Sequence, residues 1–91
     1  MKLVVSRAAA ADLDRLYLFL ADKNPAAAQN AVAVLTHAIE LLSVFPDRGR
    51  LSGTAGAREL IVPYGQSAYV LRYAHLAEAD EIVVLRILAR S

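Results

Sequence analysis

Apolar and polar positions follow two rhythms along the chain, and the changes of rhythm mark its elements. Residues 2–5 are a short, mostly apolar run closed by Ser6. The run is too short for a helix and suits a strand, and Ser6 is a helix-capping residue type. From residue 8 to residue 23 the rhythm becomes helical. Leu13, Leu16, Tyr17 and Leu20 fall at i, i+3, i+4 and i+7, which is one face of a helix. Leu18 and Phe19 lie off that face, beside Asp14 and Arg15. Asn24-Pro25 then punctuates the chain, with Asn24 as a cap and Pro25 in the first turn of a second helix. That helix is expected over residues 25–45. Its apolar face is Ala28, Ala31, Val32, Leu35, Ile39 and Leu42, opposite Gln29, Asn30, Thr36, His37, Glu40 and Ser43. So short a connection makes the two helices an antiparallel hairpin.

After Pro46 the rhythm breaks. Residues 47–57 hold Gly49, Gly53 and Gly56 with Arg48, Arg50, Ser52 and Thr54, a long loop of the kind that is often functional or mobile. Strands are expected over residues 58–63, 68–75 and 81–88. In the second of these, Tyr69, Leu71 and Tyr73 share one face and Val70 and Arg72 the other. The last is apolar on both faces, which places it centrally in a sheet. The order β-α-α-β-β-β predicts an α+β fold: an N-terminal strand and a two-helix hairpin packed on a mainly antiparallel sheet of three to four strands. The expected core is Leu13, Leu16, Tyr17, Leu20, Val32, Leu35, Ile39, Leu42, Leu60, Val62, Leu71, Val83 and Leu85.

Composition narrows the class. Ninety-one residues allow one domain, spanning residues 1–91. The chain is 57% hydrophobic, but eighteen of those positions are alanine, so the larger apolar side chains fill one modest core. Ten basic and nine acidic residues leave a net charge of +1. Disorder and a polybasic nucleic-acid arm are excluded, because the first needs few apolar residues and the second a run of like charge. There is no cysteine, which removes disulfides, thiolate-bound zinc and thiol catalysis. Arg7, Asp12, Asp14 and Arg15 interrupt the N-terminal apolar run, and the longest charge-free stretch, residues 24–39, holds Pro25, Gln29, Asn30, Thr36 and His37. No signal peptide or membrane span is therefore expected, and the chain reads as cytoplasmic. The mean hydropathy of +0.40 is high for so small a domain and points to a partner covering part of its surface.

Chemistry-bearing clusters are few. His37 and His75 are the two histidines and read as surface residues, and Glu78, Asp80 and Glu81 read as a solvated acidic loop. No metal site, cofactor motif or catalytic group is expected. The arginines carry the information. They are eight of the ten basic residues, and six of them, Arg48, Arg50, Arg58, Arg72, Arg86 and Arg90, follow Phe45. A guanidinium offers a planar fork to carboxylates and phosphates. Arg72 and Arg86 lie on neighbouring strands, where they either pair with Glu59 or Glu81 or help form a surface for an anionic partner.

Several short motifs occur in a specific order. Phe45-Pro46 ends the second helix, and Gly49-Arg50 follows. Arg58-Glu59-Leu60 opens a strand, Tyr69-Val70-Leu71 precedes Tyr73, and residues 82–87 read IVVLRI. Upstream stand Asp12-Leu13 in the first helix and Asn24-Pro25 at the start of the second. Over almost its whole length the chain resembles the ParE branch of the RelE/ParE toxin superfamily, the toxins of bacterial type II toxin–antitoxin pairs. The resemblance implies a cognate ParD-like antitoxin, itself a small DNA-binding protein, and DNA gyrase as a target that is bound and not chemically altered. It implies no direct sequence-specific DNA binding by this chain. RelE-type members instead cut mRNA in the ribosome. They typically carry an arginine where Val70 stands, lysines in the stretch where residues 47–57 have none, and a terminal Tyr or His where this chain ends at Arg90-Ser91.

The resemblance leaves three functions in play: a gyrase-binding toxin, a ribosome-dependent endonuclease, and a non-toxic antitoxin-binding module of the same fold. The candidate target surface is Arg58, Arg72, Arg86 and Arg90, with Arg48 and Arg50 on the loop nearby. Leu18, Phe19, Val34 and Leu41 are the candidate antitoxin contacts, apolar residues at the margins of the helical faces. An endonuclease would also need a proton acceptor, for which Tyr69, Tyr73, His75 and Glu59 are the available groups.

Overall fold

The computed structural model describes residues 1–53 and 56–90. The loop position Thr54 and the terminal Ser91, both used above, lie outside the described residues, as does Ala55. The chain forms β1 (Lys2–Val5), α1 (Arg7–Ala21), α2 (Pro25–Leu42), β2 (Arg50–Leu51), β3 (Ala57–Tyr64), β4 (Ser67–Leu76) and β5 (Glu81–Arg90). The sheet runs β1-β5-β4-β3-β2. β1 is parallel to β5, and every other pairing is antiparallel. The α+β architecture is as expected, with one strand more. That strand, β2, has two residues pairing with Glu59 and Arg58, too short to leave a periodic signature. Among the described residues no helix is long and apolar enough to cross a membrane.

Both helix starts follow from their caps. The Ser6 hydroxyl accepts from the Ala9 amide at 3.1 Å and donates to the Leu85 carbonyl at 3.0 Å, tying the start of α1 to β5. The Asn24 side chain accepts from the amides of Ala26 and Ala27, with Pro25 in the first turn. The second helix ends at Leu42, three residues earlier than expected. Val44 and Phe45 therefore leave the helix, and both are exposed.

The two helices use their inner faces differently. α2 buries Ala28, Ala31, Leu35, Ala38, Ile39 and Leu42, with alanines allowing close approach. α1 buries only Ala9 and Asp12. Leu13, Leu16 and Leu20 are half-buried, and Tyr17, expected in the core, is 36% exposed. The helices cover one face of the sheet, where Val62, Leu71, Tyr73, Ile82, Val84 and Ile87 complete the core.

The expected core positions Val83 and Leu85 are half-buried and do not belong to that cluster. A β-bulge is the reason. Arg72 pairs with Arg86 but Tyr73 pairs with Val84, so Leu85 is an extra residue in β5. The alternation reverses there, and the inward set becomes Ile82, Val84 and Ile87.

Candidate functional site

The bulge places Arg86 and the Ile87 amide opposite Asp12 of α1. Arg86 Nε donates to Asp12 Oδ2 at 2.7 Å and its Nη2 to Oδ1 at 3.0 Å, while the Ile87 N–H donates to Oδ2 at 2.9 Å. Arg15, one helical turn along, also bonds the same carboxylate. Asp12 is 5% exposed and accepts from three residues. Its pKa lies below the usual carboxylate value, first because of the Arg86 hydrogen bonds, with the Ile87 amide and the charges of Arg86 and Arg15 assisting against burial. Arg86 is correspondingly held protonated by Asp12.

The other strand arginines are also engaged. Arg72 donates through Nε and Nη2 to Glu59 Oε2 at 3.0 and 2.8 Å, one of the two pairings expected from the sequence. Arg86 takes Asp12, not Glu81. Asp12 entered the sequence reasoning only as a break in the N-terminal apolar run and through the Asp12-Leu13 motif, with no partner assigned to its carboxylate. Its spacing was the signal: Asp12, Leu16 and Leu20 are separated by fours and share the inner face.

Arg58 turns to the loop. Its Nη1 donates to the carbonyls of Gly49 at 2.8 Å and Asp47 at 3.3 Å, and its Nε lies 3.5 Å from the Asp47 carboxylate. Tyr73 does the same from beneath. Its hydroxyl donates to the Pro46 carbonyl at 2.8 Å and accepts from the Gly49 N–H at 2.8 Å. A Cβ on Gly49 would lie 2.8 Å from the Tyr73 ring and 3.0 Å from the Glu59 carbonyl, so this position has room for glycine alone. His75 Nδ1 pairs with Asp47 Oδ1 at 2.9 Å. That contact is the leading cause of the lowered Asp47 pKa, with the charges of Arg58 and His75 adding to it. His75 is thus a loop anchor with a side chain 17% exposed, where a surface residue was expected.

The six candidate arginines therefore separate. Arg58, Arg72 and Arg86 are ion-paired. Among the described residues no ion pair involves Arg48, Arg50 or Arg90, all three exposed. Arg90 pairs with Ala68 at the start of β4, whereas the loop meets β4 at Tyr73 and His75. The two ends stand roughly 16 Å apart at about 3.3 Å per strand residue.

The apolar candidates separate too. Leu18 and Phe19 are 67% and 65% exposed. Phe19 lines a groove between α1 and β5, with Leu16, Leu20, Tyr69, Ile87 and Ala89. Lys23 stands 4.8 Å over the Phe19 ring. Val34 and Leu41 are half-buried and line a different groove, between α2 and residues 60–63 of β3.

β1 accompanies β5 only to Val84, where the Ser6 N–H donates to the Val84 carbonyl. Beyond that point, among the described residues, no strand pairs with the outer edge of β5, and the Ser6 hydroxyl takes the Leu85 carbonyl. Asp12 takes the Ile87 N–H, and the alternation turns the amide and carbonyl of Ala89 to the same side.

Among the described residues no group of three or more His, Cys, Asp or Glu side chains is placed to hold a metal ion.

Comparison with known proteins places this geometry. The family described as the ParE toxin of type II toxin–antitoxin systems, parDE, matches residues 3–91. The chain is 39% identical over 79 residues to Toxin RelE1 of Caulobacter vibrioides, covering 87% of this chain and 84% of that one. It is 34% identical over 76 residues to Toxin RelE3 of the same organism, covering 84% and 79%. Its fold matches a chain of a structure described as the chromosomal ParDE TA system from P. aeruginosa. The TM-score is 0.79 and the identity 28%, with 100% of this chain and 97% of the other covered.

Proposed function

The chain belongs to the family of ParE toxins of type II toxin–antitoxin systems, and from that premise we propose that it is neutralised by a cognate antitoxin and poisons DNA gyrase by binding it, without itself performing chemistry. The observation that carries this reading is the state of the groups an RNA-cleaving site would need. The Tyr73 hydroxyl is spent on the loop, His75 on Asp47, and Glu59 on Arg72. Burial, with a smaller contribution from Tyr64, raises the pKa of Tyr69 and leaves less of it ionised to accept a proton. The guanidiniums of Arg72 and Arg86 already face carboxylates, so a scissile phosphate would have to displace them.

The α1/β5 groove supports the antitoxin half of the proposal. It combines exposed Phe19, half-buried Leu16 and Leu20, and an unpaired strand edge at Ala89. An extended segment of the antitoxin pairs with that edge and lays alternate apolar side chains into the groove, as in β-strand addition. Phe19 is then an antitoxin contact, Leu18 does not line the groove, and Val34 and Leu41 are not part of the same surface.

Expression of the chain without an antitoxin tests the target. The expected result is inhibition of supercoiling by purified gyrase, with bulk mRNA intact. Codon-specific cuts in ribosome-bound mRNA within minutes of induction, with supercoiling unaffected, would establish the endonuclease reading instead.

A further inference from the structure

The segment from α2 to β2 carries an unusual combination. Val44, Phe45 and Leu51 are 61%, 57% and 68% exposed, among the most exposed large apolar side chains of the molecule. Arg48 and Arg50 stand among them, exposed and, among the described residues, without an ion pair. Asp47, the acid in this segment, is occupied by His75 and Arg58. The outward character is therefore apolar and cationic.

This segment contributes little to the core, yet several side chains hold it in place. Tyr73, fully buried, spends both hydrogen-bonding capacities of its hydroxyl on Pro46 and Gly49. Arg58 donates to two of its carbonyls, and Gly49 is packed too tightly for any side chain. A loop fixed this way loses little freedom on binding, which is how preorganisation raises affinity. Aromatic and arginine side chains are also the types that dominate binding energy at protein interfaces.

We propose that Val44, Phe45, Arg48, Arg50 and Leu51 form the tip with which the chain grips its target, a folded protein presenting an apolar pocket rimmed by carboxylates. The proposal rests on the reading that the chain acts by binding, and it deepens that reading by replacing Arg58, Arg72, Arg86 and Arg90 with this tip. A protein fits better than a nucleic acid because two cations are flanked by three large apolar side chains, where a phosphate backbone would call for a denser run of charge. The tip adjoins Tyr73 and His75 of β4 and the α2/β3 side of the sheet, away from the α1/β5 groove, so the antitoxin and the target contact different surfaces.

The test compares growth arrest by the full chain, expressed without antitoxin, with that by Phe45→Ser, Arg48→Glu and Lys2→Glu. Each variant is also tested for antitoxin binding, and the parent chain for gyrase inhibition. Phe45→Ser and Arg48→Glu should each raise the amount of protein needed for arrest by about tenfold or more while antitoxin binding is retained. Lys2→Glu, the same charge change at the far edge of the sheet, should remain as toxic as the parent. Full toxicity of both tip variants would overturn the proposal, and so would loss of antitoxin binding by either one. Loss with Arg48→Glu but not Phe45→Ser would mark a phosphate-reading surface and overturn the protein partner. Loss with both tip variants while the parent leaves gyrase untouched would uphold the tip and remove gyrase as the target. A harmless parent chain would overturn the tip and the toxin reading together.

Discussion

The two long flanks of the sheet are finished differently. On one, α2 lies over β3 with six buried residues, and β2 pairs with part of the strand's outer edge. The Ala57 carbonyl accepts from Ser52 on that edge, so alternate residues Glu59, Ile61 and Pro63 also turn their backbone outward. Pro63 has no N–H to offer there, which blunts the edge against pairing with another chain. On the other flank, α1 buries two residues, one of them charged, and β5 leaves Ala89 without proline, bulge or cover. Open edges are an aggregation hazard that proteins normally suppress. The proline at β3 and its absence around Ala89 in one sheet are what the proposed docking of the antitoxin on β5 requires.

The largest expected effect contrasts the two helices. Leu35 of α2 is completely buried, so Leu35→Ala should cost about 2–5 kcal/mol. Leu16 in α1 is half-exposed and forfeits only part of its transfer energy, so Leu16→Ala should cost about 1–2 kcal/mol. Denaturant titration of both variants gives the comparison. In the presence of the antitoxin, Leu16→Ala should cost more, because the partner buries it. Equal losses in the free chain would mean that α1 is as well sealed as α2 and that the flanks do not differ.

A second prediction concerns what fastens α1. Asp12→Asn keeps the shape but brings an amide N–H₂ against Arg86 or leaves the Ile87 N–H without an acceptor. The expected cost near neutral pH is about 1–3 kcal/mol. Its pH dependence has a definite sign. The folded pKa of Asp12 lies below the ordinary aspartate value of 3.8, so its carboxylate stabilises the fold fully above that pH. The contribution fades as pH falls below 3.8 through the folded pKa. The gap between parent and variant should therefore hold from neutral pH down to about 5 and narrow in stronger acid. A gap that stays constant down to pH 3 would show that Asp12 acts through packing alone.

Much of this architecture was legible in the sequence, and the parts that were not have physical reasons. Ser6 and Asn24-Pro25 fixed both helix starts because capping is local chemistry. Leu35, Ile39 and Leu42 were legible because a buried helical face is periodic. Val83 and Leu85 were misplaced because a bulge shifts parity by one residue, and nothing local to residues 81–88 announces it. Its counterpart lies some 75 residues away, in Asp12, which accepts from the Ile87 N–H. The arginines were legible as a group but not as individuals. Arg86 and Arg72 look equally available until Asp12 and Glu59 are placed beside them, and Arg48 and Arg50 stand out only once the others are engaged.

The subtlest prediction leaves stability untouched and reads the two edges directly. The amides of Ala89 and Ile61 both point outward from edge strands, and among the described residues neither has a partner. Both should exchange with solvent quickly, since unpaired edge amides need no unfolding to open. The antitoxin should slow exchange at Ala89 by pairing with β5, while Ile61, beside Pro63, remains fast. Amide exchange followed residue by residue with and without the antitoxin makes the measurement. Slowing at Ile61 with Ala89 unchanged would reverse the assignment of the edges. The partner would then pair beside the proline, and the exposed Phe19 would need another explanation. Slowing at neither would mean that the antitoxin grips side chains alone, and the free edge of β5 would not be its docking site.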